Sequence, residues 1–169
     1  MRSTAPRRDG FLFAAAAALV VAADWLTKLL VQGGHGIGEY LGGLLRITLV
    51  SNPGAAVGLL PGARWVFVAV KVLAMAVILW LLLRGRAGRG WARITPLALI
   101  FGGALGNLLD RLRAGGAVVD FIDLGVGTHR WYVFNVADAC ISVGAAWVVV
   151  LLLAAPSPRR GTAPDRGEA

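Results

Sequence analysis

The sequence predicts a membrane all-α fold: a four transmembrane helix bundle with a small extramembrane β-sheet formed by its two outer loops. Three observations predict it. The 169 residues are 57% hydrophobic, with mean hydropathy +0.71 and only 15% charged, where a soluble domain averages about 25% charged. The apolar excess is gathered into four stretches long enough to cross hydrocarbon. The loops after the first and third stretches carry β-branched, alternating runs, as half-buried strands do.

The elements follow in order. Met1–Gly10 is polar and basic, with Arg2, Arg7 and Arg8. The first span covers about residues 11–31 and is broken only by Asp24, Thr27, Lys28 and small residues. A basic start, an apolar run and small residues at Ala22 and Ala23 also describe a cleaved secretory signal. Arg7-Arg8 loosely matches a twin-arginine signal. The apolar run resumes past Asp24, however, through Trp25, Leu26, Leu29, Leu30 and Val31. A retained helix is therefore expected. In the first loop, Leu45–Ser51 alternates as a strand does and Asn52-Pro53-Gly54 ends it. The second span covers 65–83 and contains Lys71; the third covers 94–112 and ends in Asp110-Arg111. The second loop holds strand-like pieces at Ala117–Leu124 and His129–Val133, and the fourth span covers 132–155. Residues 1–155 are expected to form one membrane domain. Residues 156–169, rich in Pro, Gly and Arg, are expected to form a disordered cytoplasmic tail.

The net charge of +8 and pI near 11.2 can signal a nucleic-acid partner. Here the arginines instead flank apolar runs, so no nucleic acid is expected. The N-terminus, the 84–93 loop and the tail hold ten arginines, and the opposite loops hold four: Arg46, Arg64, Arg113 and Arg130. That bias places both termini in the cytoplasm and both strand-bearing loops outside. The single cysteine, Cys140, excludes an intramolecular disulfide. His35 and His129 have no second ligand at metal spacing, so neither metal nor cofactor is expected. The serines lack a nucleophile-elbow context. Gly102 and Gly106 lack the Gly-Lys-Ser/Thr of a phosphate loop, and their spacing suits helix packing.

Several polar residues fall near the outer ends of the spans. At 1.5 Å per residue, Asp24 lies about 10 Å and Asp138 about 9 Å below the ends of their spans. Asp120 lies in the loop just beyond the third span. Asn107 and Arg111 are one helical turn apart, as are Asn135 and Asp138. Acids beside hydrocarbon are costly and mark functional sites. Other roles fit too. Asp24 and Lys28, at i,i+4, form either a neutralising ion pair or part of the site. Asn107 can simply bond across helices. Arg111 can mark the interface or pair with Asp110, Asp120 or Asp123. Asp123 reads as a solvated acid, and Lys71 as a side chain that snorkels outward.

These residues lie in a set of motifs: Asp24-Trp-Leu-Thr-Lys28, Asn52-Pro-Gly-Ala-Ala-Val-Gly58, Gly102-Gly-Ala-Leu-Gly-Asn-Leu-Leu-Asp-Arg111, Val118-Val-Asp-Phe121 and Phe134-Asn-Val-Ala-Asp138. In this order, on four spans, the chain resembles lipoprotein signal peptidase, the type II signal peptidase of bacteria. Val57 departs from the aromatic residue usual there, which bears on packing of substrate or inhibitor. The resemblance implies an aspartic endopeptidase of the bacterial cytoplasmic membrane, with its active site near the outer face. It implies diacylglyceryl prolipoprotein substrates, cut just before the lipidated cysteine, with membrane lipid as surroundings and a monomer as working unit. It assigns catalysis to Asp120 and Asp138, and puts Asp24, Lys28, Asn52, Gly54, Asn107, Arg111 and Asn135 around them. Two other classes remain. A proton-coupled transporter would carry acids near the midplane, broken helices and paired repeats; here the acids are shallow and no repeat is visible. A noncatalytic scaffold would use its polar residues to bind a partner's helix.

Overall fold

The computed structural model describes residues 5–53, 64–113 and 116–154. Among these described residues, four helices are long and apolar enough to cross a membrane: α1 (Ala5–Gln32), α2 (Arg64–Leu83), α3 (Trp91–Leu112) and α4 (Val136–Leu153). Their outward faces expose large apolar side chains such as Leu19, Val70, Leu73 and Val150. A water-soluble fold would bury them, and lipid makes their exposure favourable. Gly54, Val57 and the 156–169 tail lie outside the described residues.

Helix α3 is the hub and packs against α1, α4 and α2. Its glycines explain why. A Cβ at Gly102 would lie 2.8 Å from the Ala17 carbonyl oxygen of α1. One at Gly106 would lie 2.9 Å from Asp24 Oδ2, and one at Gly103 would overlap the Ala137 carbonyl of α4. Small residues on α3 thus let two helices approach at backbone distance, as expected of small-xxx-small spacing. Away from the sheet, Phe13, Ala17, Ile78, Ile94 and Ala98 form an apolar core, with Phe13 edge-on to Phe101 at 5.3 Å. The obstacle at Gly103 is backbone and cannot rotate away. Gly103→Ala is therefore expected to cost about 1–3 kcal/mol, read as a lower denaturation midpoint in mixed micelles.

The two strand-bearing loops meet at one end of the bundle. They form an antiparallel sheet of order β1-β2-β3-β4: β1 (Gly38–Tyr40), β2 (Leu45–Asn52), β3 (Val118–Val126) and β4 (His129–Arg130). Ile47 pairs with Ile122, whereas Val50 pairs with Asp120. One extra residue of β2 is therefore absorbed in a bulge. Past it, Asn52 lies on the same face as Val50, and so diagonally beside Asp120.

Two expectations need correction. The fourth helix begins at Val136, not 132. Phe134 is still extended, exchanging backbone hydrogen bonds with Ile122 (Phe134 N–H to Ile122 O, 3.0 Å; Ile122 N–H to Phe134 O, 2.8 Å). Asn135 then caps the helix by accepting the Asp138 N–H at 2.9 Å. Asp138 therefore sits in the first turn, about 3 Å along the helix rather than 9 Å. Asp123 is also not solvated. Arg130 Nε bonds its carboxylate at 2.8 Å, and the same guanidinium bonds the Gly43 carbonyl at 2.7 Å. Arg130 thus ties the β3–β4 hairpin to the turn before β2.

Candidate active site

The site lies where the sheet meets the bundle, and five polar residues are buried in it: Asp24, Lys28, Asn107, Asp120 and Asn135. A buried polar group must find partners, and here the partners form one connected net. Asn135 is its centre. Its Oδ1 is committed to the Asp138 N–H, so its Nδ2 must donate. It donates to Asp120 Oδ1 at 2.7 Å and to Asn107 Oδ1 at 3.0 Å. That fixes Asn107, whose Nδ2 donates to Asp138 Oδ1 at 2.8 Å. Two asparagines thus join Asp120 to Asp138 through amides whose orientation the helix cap dictates. Asn52 completes the shell, donating from Nδ2 to Asp120 Oδ2 at 2.9 Å.

A second set of charges holds the backbone behind these aspartates. Lys28 Nζ lies 2.6 Å from Asp24 Oδ2 and 2.7 Å from Asp110 Oδ2. The other oxygen of Asp24 accepts the Ala137 N–H at 2.9 Å, across 113 residues of sequence. Asp110 Oδ2 also meets the Val119 N–H at 3.5 Å. The triad therefore touches the residue before Asp138 and the residue before Asp120. Asp24 and Asp138 share a level even though α1 runs eight residues past Asp24 to Gln32. It is α1 that projects beyond the start of α4. Arg111 Nη1 donates to the Gly116 carbonyl at 3.2 Å, bracing the turn into β3.

Burial pushes the Asp120 carboxyl up to about 6. The Asn52 hydrogen bond opposes that rise, the nearby Asp138 charge adds to it, and the Asn135 bond and Lys28 charge oppose it. Two neighbouring carboxyl groups of this kind can share one proton. That is the requirement for acid–base chemistry on a peptide carbonyl.

A family comparison decides the class. The family described as Signal peptidase (SPase) II matches residues 16–154. The chain belongs to the signal peptidase II family. Among curated relatives, the lipoprotein signal peptidase of Syntrophus aciditrophicus is 40% identical over 147 residues, covering 82% of this chain and 90% of that protein. The lipoprotein signal peptidase of Paraburkholderia phytofirmans is 42% identical over 140 residues, covering 79% of this chain and 80% of that protein. A solved bacterial membrane enzyme superposes with a TM-score of 0.72 at 30% identity, over 85% of this chain and 94% of that one. The signal peptidase II family and the four apolar helices make this chain a peptidase and a multi-pass bacterial membrane protein.

Within that frame, Asp120, Asp138, Asn135, Asn107 and Asn52 meet in one net, and Asp24 and Lys28 join it through backbone. Arg111 stands at its edge. Two residues were not anticipated. Asp110 is the second acceptor of Lys28, and its position one turn from Asn107 on α3 is the signal that could have found it. The other is Lys71 of α2, expected from the sequence only as a snorkelling side chain. It is half-buried and lies within electrostatic reach of Asp138, Arg111 and Asp120.

Proposed function

We propose that the chain is a membrane aspartic endopeptidase that removes the signal peptide from diacylglyceryl-modified prolipoproteins, cutting just before the lipidated cysteine. The observation that carries this reading is the amide net joining Asp120 to Asp138 at the sheet end of the bundle. Such a net holds two carboxyl groups in fixed orientation without neutralising either. The lipoprotein signal peptidases to which the chain is similar supply the substrate class. The arginine distribution supports cytoplasmic termini and a site near the outer face. There, water enters from outside while the lipid on the substrate cysteine stays in the bilayer. The chain works as a monomer and needs no metal or cofactor.

In this mechanism Asp120 starts with the shared proton, because burial raises its carboxyl to about 6. Asp138 starts as the base. It takes a proton from water as the water oxygen bonds to the scissile carbonyl carbon. Asp120 polarises the carbonyl oxygen by donating to it. Collapse of the tetrahedral intermediate breaks the C–N bond, and the cysteine nitrogen leaves with a proton from the dyad. One water is consumed, and the dyad again holds one proton.

The test is mass spectrometry of a synthetic diacylglyceryl prolipopeptide incubated with the protein in liposomes. The expected product begins at the lipidated cysteine. Equal cleavage of the unlipidated peptide, or a cut elsewhere, removes the assignment. The protonation scheme has its own consequence. The active free enzyme needs Asp120 protonated, so kcat/KM is expected to fall above pH about 6, by about tenfold per pH unit. A pH–rate profile flat from pH 5 to 8 would contradict it.

A further inference from the structure

We propose that an apolar groove beside Asp138, between α4 and the β3–β4 hairpin, receives the acyl chains of the substrate's diacylglyceryl group, and not its signal-peptide helix. This rests on the function proposed above.

The groove has a volume of about 950 Å³ and its apolar lining includes Leu124, Val126, Trp131, Phe134 and Val143; Asp138 lines it too, along with the polar His129, Arg130 and Ser142. Val126, Trp131 and Val143 are more than half exposed, so the groove is open along its side. Its contact with Asp138 is what selects the occupant. The scissile bond must come within hydrogen-bond reach of the dyad. The next residue is the cysteine whose sulfur carries the glyceryl group. The chains therefore start within one residue of Asp138. A long apolar ligand starting there needs hydrocarbon walls that continue into the bilayer, and this groove provides them.

Depth argues against the signal-peptide helix. Along α4 the groove reaches only Val143, five residues and about 7.5 Å past Asp138. A spanning helix needs roughly 20 residues of contact length, yet the groove leaves the rest of α4, down to Leu153, unlined. Its other wall is the sheet, at the membrane edge. That shape suits two chains entering sideways from the outer leaflet, their ends continuing into lipid. A second cavity, between α1 and α3, is lined by Asp24 and Asp110 and by neither Asp120 nor Asp138.

The experiment uses the full chain in liposomes and two prolipopeptides that differ only in their acyl groups, dipalmitoyl and dibutyryl. Val143→Trp fills the groove from α4. It is expected to raise KM for the dipalmitoyl substrate about tenfold, equivalent to losing burial of roughly two methylenes. KM for the dibutyryl substrate and both kcat values are expected to stay within about threefold. Val126→Trp fills the groove from the sheet and gives the same pattern should Val143→Trp fail to fold. Val150→Trp, on the same face of α4 but two turns deeper, is expected to leave both KM values unchanged. An equal rise for both substrates, or a rise with Val150→Trp, overturns the acyl assignment in favour of the signal peptide while leaving the peptidase reading intact. No change with either groove-filling variant also overturns it. Failure of the unaltered protein to cleave either substrate overturns both readings.

Discussion

Replacing Asp138 by asparagine is expected to lower the rate of prolipopeptide cleavage by about 10³-fold or more, while the protein still folds. The expectation follows from the different surroundings of the two aspartates. Asp138 accepts from Asn107 on Oδ1, and an asparagine carbonyl can accept the same bond. The variant therefore loses the base and keeps the net. Asp120→Asn is a less clean experiment. Both Asp120 oxygens accept amide N–H groups, one from Asn135 and one from Asn52. An asparagine there must turn its own NH2 toward one of those donors, which costs stability as well as activity. Single-turnover cleavage in proteoliposomes, with a denaturation midpoint for each variant, separates the two effects. Turnover of Asp138→Asn within tenfold of the unaltered protein would sink the dyad assignment.

Lys28→Met is expected to be strongly destabilising. Lys28 is 3% exposed and stands between two carboxylates, Asp24 and Asp110. Removing one member of a buried ionic set leaves uncompensated charge, at about 3–5 kcal/mol. The Ala137 and Val119 contacts of the two acids would loosen with it, so cleavage should fall as well. A triple variant, Asp24→Asn with Lys28→Met and Asp110→Asn, is expected to recover much of the stability. Buried ion sets are commonly replaceable by neutral groups when all members change together. Denaturant titration of the three proteins checks this. A loss below about 1 kcal/mol for Lys28→Met would mean that the triad does not hold the bundle.

The fold was legible because lipid imposes simple rules. Four apolar runs, arginines between them and alternating residues in two loops are patterns of composition and period, and they yield helices and strands without tertiary knowledge. Most members of the buried polar net were legible, but its wiring was not. Asp24, Lys28, Asn107, Asn135 and the two later aspartates stand out because polar groups beside hydrocarbon need a reason. What could not be read is which atom meets which. Asp138 looked deep because the apolar run starts at Tyr132, and run length does not reveal that Phe134 is bonded to β3 and Asn135 is a cap. Asp123 looked solvated because its partner, Arg130, comes near only when the hairpin closes. Asp110 looked like no more than a partner for Arg111, because Lys28 lies on another helix. Each miss is a contact made only when the strands and helices come together, whether seven residues apart, as Arg130 and Asp123 are, or on different helices, as Lys28 and Asp110 are.

The bond from Asp24 to the Ala137 N–H has a consequence for how the protein is made. The first helix leaves the ribosome with an acid and a lysine in it, and the acid's second partner is 113 residues away. Of the two aspartates, one is on β3 and the other on the last helix. A nascent chain that has inserted three helices thus holds half a dyad and an unfinished brace. If Asp120 and Asp138 are the catalytic pair proposed above, activity begins only when the fourth helix arrives, and the same event joins first helix to last. On that reading, completion of the fold and onset of proteolysis are one step.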